Sequence, residues 1–250
     1  MTTRQPFSLL SAMLCGLALG ASVLLAGCGG GGSSSSGGGN GASLAAGSYQ
    51  GAYVSTSGQF SPDAGTIAFT VNSSGAVSGS SRDYTGDGST NSFTGTVSST
   101  GALVTNAVTG TLSQDSTTHV LSTSFTETNG TKGVLKVGLA PTSSAFAGSY
   151  SGTATSSGTS GTFPLTLSIS SAGAVTGTLG TPVAGNPNSG FNIAGYVDAS
   201  GSAYLAYTSG GVPTLSLLRL ALNGTALTGT LQETASDGST PSGTVSLTKQ

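Results

Sequence analysis

From Ala46 onward, apolar residues alternate with hydroxyl-bearing or small ones. Ile67, Phe69 and Val71 share one face while Thr66, Ala68 and Thr70 share the other. Leu165, Leu167 and Ile169 repeat the arrangement against Thr166, Ser168 and Ser170. A period of two predicts half-buried antiparallel strands, because successive side chains of a strand point to opposite faces. Turn pairs punctuate the pattern at Ser74-Gly75, Thr100-Gly101, Asn129-Gly130, Ser200-Gly201, Asn223-Gly224 and Asp237-Gly238. They recur every ten residues or so, as hairpin turns do in an all-β domain. No stretch of this region has a helical period.

The pattern occurs twice. Ala46-Gly47-Ser48-Tyr49-Gln50-Gly51 returns as Ala147-Gly148-Ser149-Tyr150-Ser151-Gly152, and Phe125-Thr126-Glu127-Thr128 returns as Leu231-Gln232-Glu233-Thr234. Self-similarity at a fixed offset marks a duplicated structural unit. The expected organisation is two β-domains, 46–140 and 146–250, joined by a linker at 141–145. Each has about eight strands; those of the second begin near Gly148, Thr162, Ala174, Phe191, Ser202, Thr214, Thr225 and Gly243. Eight antiparallel strands with short turns close into a small up-and-down barrel, which removes exposed edges. A β-sandwich is the alternative. The opening Gly-Ser-Tyr of each copy resembles the Gly-x-Trp start of lipocalin- and avidin-like barrels, with Tyr in place of Trp.

The N-terminus reads differently. Arg4 and an apolar run from Phe7 to Leu25 have the build of a secretory signal over residues 1–27. Leu25-Ala26-Gly27-Cys28 resembles the lipobox of bacterial lipoproteins. That resemblance implies diacylglyceryl transfer to the sulfur of Cys28, cleavage between Gly27 and Cys28, further acylation with palmitate-type chains, and anchoring in a membrane. Gly29 stands where an Asp would retain such a protein at the inner membrane, so the resemblance implies the outer membrane. A transmembrane helix and a non-lipidated secretory signal are the plainer alternatives. Residues 28–45 then form a lipidated, Gly/Ser-rich tether. About 15 flexible residues span ~20 Å.

Composition narrows the chemistry. Charged residues make up 6% of the chain, against roughly 25% in an ordinary soluble domain. Without Arg4, five basic residues face eight acidic ones, a net charge of −3. No basic patch is present to attract nucleic acid. Cys15 falls within the predicted signal, leaving Cys28 as the one mature cysteine and no intrachain disulfide.

Candidate catalytic groups are few. His119, the only histidine, leads a predicted strand, and no Gly-x-Ser-x-Gly elbow accompanies it. Asp83-Tyr84-Thr85-Gly86-Asp87-Gly88 opens like a calcium loop but has Thr94 where a bidentate glutamate is needed, which favours a surface turn. Glu127 and Glu233 occupy equivalent positions of the two copies, which duplication explains without glycoside chemistry. Alternation turns Arg219 outward to water, with a barrel mouth as the sharper reading. Tyr196, Tyr204 and Tyr207 read first as packing and second as a ligand wall. The sequence thus predicts a non-enzymatic lipoprotein without cofactor or metal, binding a small hydrophobic ligand or a surface partner. A structural or adhesive envelope protein is the alternative.

Overall fold

The computed structural model describes residues 44–57, 62–85, 88–157, 159–180, 190–209 and 211–250. Cys28, the rest of the lipobox and Asp87 lie outside them. The first copy runs through β1 (Gly47–Ser57), β2 (Ala64–Val71), β3 (Ala76–Asp83), β4 (Thr90–Val97), β5 (Ala102–Thr105), β6 (Val108–Thr111), β7 (Ser113–Gln114), β8 (Leu121–Glu127) and β9 (Lys132–Leu139). Successive strands pair antiparallel except β6 and β7, which both pair with β8; β6 also pairs with β5, and β1 with β9. The ring is closed. Two-residue β7 follows β6 after Leu112, which is buried and donates its amide to the carbonyl oxygen of Gly101 at 2.9 Å.

The second copy comprises β10 (Gly148–Ser156), β11 (Thr159–Ile169), β12 (Ala174–Leu179), β13 (Phe191–Val197), β14 (Ser202–Ser209), β15 (Val212–Asn223), β16 (Ala226–Ala235) and β17 (Ser242–Lys249), with β17 closing on β10. The fold is therefore all-β: two closed eight-stranded antiparallel barrels in tandem. Closure sets the sandwich alternative aside. Four of the predicted strand starts, Gly148, Ala174, Phe191 and Ser202, coincide with observed ones.

Alternation is obeyed inside each barrel. Tyr49, Phe69, Phe93, Phe125 and Val137 fill the first, with the Tyr49 and Phe69 rings stacked at 5.4 Å. Leucines, Tyr150 and Tyr207 fill the second. The duplicated Gly-Ser-Tyr has one structural job in both copies. Tyr49 Oη donates to the carbonyl oxygen of Ala45 at 2.8 Å, and Tyr150 Oη donates to that of Phe146 at 2.8 Å. Each hydroxyl pins the segment that leads into its barrel.

A third apolar cluster lies between the barrels. Ala52, Val54 and Ala64 of β1 and β2, with Val120, meet Tyr204, Ala206, Leu215 and Leu217 of β14 and β15. This is why Ser202–Tyr207 are all buried: Ala203, Leu205 and Tyr207 face their own core while Tyr204 and Ala206 face the neighbouring barrel. Burying each large side chain contributes about 1.5–3 kcal/mol. Polar links frame the seam. Gln50 Nε2 donates to the carbonyl oxygen of Val197 at 2.9 Å, and the amide of Ala199 donates to that of Leu139 at 3.0 Å.

Candidate functional site

Where the seam meets the end of the first barrel at which β1 begins, a groove of about 410 Å³ opens. Leu44, Tyr49, Leu121 and Leu139 supply its apolar wall, and Gln114, His119 and Ser200 supply polar groups. The barrel's own geometry places them: β1 starts, β8 starts and β9 ends at this level, while the β13–β14 turn of the second barrel leans over it. Leu139 is the one large apolar side chain here left well exposed, at 48%. It lies on the inward-facing register of β9 but one step beyond the core, where the barrel has run out.

Asp198 holds the overhanging turn in place. One carboxylate oxygen accepts the amides of Ser200 at 2.8 Å and Ser202 at 2.9 Å and the Ser200 hydroxyl at 2.7 Å; the other accepts Tyr204 Oη at 2.7 Å. Burial, and then the charge of Asp198, pushes the Tyr204 phenol far above its ordinary range, so it stays a donor. Gly138 permits this approach, since a Cβ there would meet Asp198 Oδ2 at 2.1 Å.

The residues singled out in the sequence scatter. His119 does not lead a strand: β8 begins at Leu121, and His119 sits in the preceding turn at φ 57°, its amide donating to the carbonyl oxygen of Asp115 at 2.8 Å. It reaches the groove as part of that turn. Arg219 does face out of its barrel, but into the seam rather than water, donating to Ser202 Oγ at 2.8 Å and to the carbonyl oxygen of Thr118 at 3.4 Å. Tyr204 and Tyr207 are both buried and on opposite faces of β14. Asp83 uses its carboxylate locally, accepting the amide of Thr85 at 2.9 Å. Among the described residues, no three His, Cys, Asp or Glu side chains converge as a metal ion would require.

Glu127 and Glu233 continue the inward-facing registers of their respective barrels and are half-buried at the strand ends. Glu127 accepts Asn129 Nδ2 at 2.9 Å. Glu233 accepts the hydroxyl of Tyr207, which in turn accepts Ser216 Oγ at 2.9 Å. Burial raises both carboxyl groups above their ordinary range. Because each belongs to its own barrel, no cleft brings the two together. The sequence reading missed the groove. Its one available signal was Leu139, an apolar residue stranded between the last core position, Val137, and the Pro141 that ends the copy.

A scan against protein-family models finds no match, and a comparison with curated proteins finds none either. Among solved structures, the chain is similar to a protein of unknown function from the DUF3598 family of Nostoc punctiforme, at 10% identity and a TM-score of 0.27, covering 82% of this chain and 96% of that one. The class defined by the fold is that of tandem closed eight-stranded antiparallel barrels, an architecture compatible with a binding module.

Proposed function

We propose that this chain is an exported, lipid-anchored, non-enzymatic binding protein of the outer membrane, and that the groove beside Leu139 takes a small amphiphile. The observation carrying the ligand is the groove itself. Its volume falls within the roughly 300–1,000 Å³ of small-molecule sites, and its apolar wall with a few polar groups follows their usual chemistry. The barrel interiors offer less, since Tyr49, Phe69, Phe93 and Phe125 occupy one and close-packed leucines the other.

Placement supports the same reading. Leu44 and Ala45, the last residues of the tether expected from composition, line the groove. An acylated Cys28 would keep this end of the first barrel within reach of the bilayer, where single-chain amphiphiles reside. The alternative, a rigid envelope spacer, draws its support from the apolar seam that joins the two barrels.

The anchor is tested by mass spectrometry of membrane-extracted protein: acyl chains on an N-terminal Cys28 are expected, and a soluble chain still carrying residues 1–27 overturns the anchor. The groove is tested with a dansyl-labelled undecanoic acid on the full chain. Saturable one-to-one binding is expected, weakened at least tenfold by Leu139→Asp, an exposed position whose change leaves the far-UV spectrum intact. Absence of saturable binding, or equal binding by the variant, overturns the ligand.

A further inference from the structure

The opposite end of the first barrel is acidic. Tyr53 and Ser55 of β1, Asp63 just ahead of β2, Asp83 at the end of β3 and Glu127 at the end of β8 continue the inward-facing registers there. Ser55 Oγ donates to Asp63 Oδ1 at 2.6 Å. The hydroxyl of Tyr53 lies so close over Gly65 that a Cβ on that residue would meet it at 2.5 Å, and the Tyr53 ring stands edge-on to Phe125 with centroids 6.3 Å apart. The charges of Asp63, Asp83 and Glu127 all act on that phenol.

Three observations bear on what this mouth would hold. First, Asp63 and Glu127 are partly withdrawn from water, yet among the described residues their partners are hydroxyl, amide and backbone groups, with no basic side chain beside them. Second, Thr131, 6% exposed, has a buried Oγ1 that finds no hydrogen-bond partner among the described residues. The amide of Glu127 donates to the carbonyl oxygen of Thr131 at 2.8 Å, so the two residues face each other across the hairpin and Thr131 continues the inward register of Gly133 and Leu135 toward the same mouth. A buried hydroxyl without a partner costs free energy that a ligand donor would recover.

Third, the second copy supplies an internal control. Tyr49 pairs with Phe69 as Tyr150 pairs with Leu167, which makes Gly161 and Phe163 the counterparts of Asp63 and Gly65, and Ala154 the counterpart of Tyr53. The second barrel closes without that tyrosine and without that acid. Neither is required by the fold.

We propose that this mouth, formed by Tyr53, Asp63, Asp83, Glu127 and Thr131, binds an organic ligand bearing two or more ammonium groups. Carboxylates carried by three different strand ends, no three of which among the described residues converge on one point, suit separated charges on a flexible chain. Charge-assisted hydrogen bonds hold the ammonium groups, the Thr131 hydroxyl accepts a hydrogen bond from one of them, and the half-buried Tyr53 ring offers a face that attracts cations. The site is separate from the groove at the other end and does not depend on it.

Calorimetric titration of the full chain at low ionic strength with spermidine, 1-aminobutane and calcium chloride tests the proposal. Spermidine is expected to bind saturably, with 1-aminobutane at least tenfold weaker and calcium giving no saturable heat. Asp63→Asn and Glu127→Gln should each weaken spermidine roughly tenfold, the effect of losing one charged hydrogen bond. Thr131→Val, which relieves the unpartnered hydroxyl and so keeps the fold, should weaken it as well. Glu233→Gln, in the other barrel, should not. Absence of spermidine binding, equal binding by Glu127→Gln and Thr131→Val, or a preference for calcium overturns the site.

Discussion

The side-chain amide of Gln50 donates to the main-chain carbonyl of Val197 at 2.9 Å, joining the barrels across 147 positions of sequence. Gln50 is 6% exposed, so its amide has little water to fall back on. Replacing it with Ala removes a donor from a buried carbonyl, which costs about 1–3 kcal/mol. Equilibrium urea unfolding of Gln50→Ala should show that loss in a single shared transition, because the apolar seam still couples the barrels. Two separated transitions in the wild type would contradict the coupling.

Gly138 and Asp198 make a stricter test of the same seam. A side chain at Gly138 would enter the space of Asp198 Oδ2 and of Tyr204 Oη, the latter 2.6 Å from the added Cβ. Gly138→Val should cost on the order of 3 kcal/mol, at the upper end of overpacking penalties. Gly238→Ser, in a turn with open space around it though at φ 85°, should cost about 1–2 kcal/mol, the left-handed backbone penalty alone. Thermal melting of the two variants side by side checks the order.

The inward carboxylates give stability an inverted dependence on pH. Burial raises Glu233, Glu127 and Asp63, with the Tyr207 hydroxyl pulling Glu233 partly back and the Ser55 hydroxyl doing the same for Asp63. Between the unfolded value of about 4 and the higher native one, the folded chain holds more protons than the unfolded chain. Stability from these groups therefore falls as pH rises through the native value. Asp115 and Asp237, held low by turn hydrogen bonds, work in the opposite direction as pH falls. Glu233→Gln keeps an acceptor for Tyr207 and abolishes the buried charge. It should melt higher than wild type at pH 7 and equal to it near pH 3, and a lower melting temperature at pH 7 would refute the assignment.

His119 carries a local backbone penalty. At φ 57° it occupies the left-handed region, which costs a residue with a Cβ about 1–2 kcal/mol. Glycine avoids the penalty but loses more entropy on folding, so His119→Gly should gain up to about 1 kcal/mol in urea unfolding. Since its amide still bonds to Asp115, the turn itself should survive, and unchanged amide exchange at Leu121 would show it.

Much of the architecture was legible in the chain. The period of two placed Ile67, Phe69 and Val71 inward, and Gly75 and Gly201 adopt the φ of 80° and 85° that their predicted turns require. These are local matters, decided within a few residues by sterics and by which side chains avoid water. The equivalence of Glu127 and Glu233 was also visible. Their direction was not, since a polar residue near a strand end reads as solvent-facing until closure turns that face inward.

Arg219 shows the same limit from the other side. Alternation alone placed it correctly on the outer face of β15, and only the packing of one barrel against the other made that face a seam rather than a surface. Leu215 and Leu217 share it, and their presence outside a barrel whose core is already complete is intelligible only once Val54 and Ala64 cover them. The sequence by itself determined two strand-rich copies, their turns and their inward faces, because those follow from nearest-neighbour geometry and hydrophobic burial. Closure, the seam, the groove beside Leu139 and the acidic mouth around Tyr53 were decided by tertiary structure, because each depends on residues brought together across strands that the chain separates.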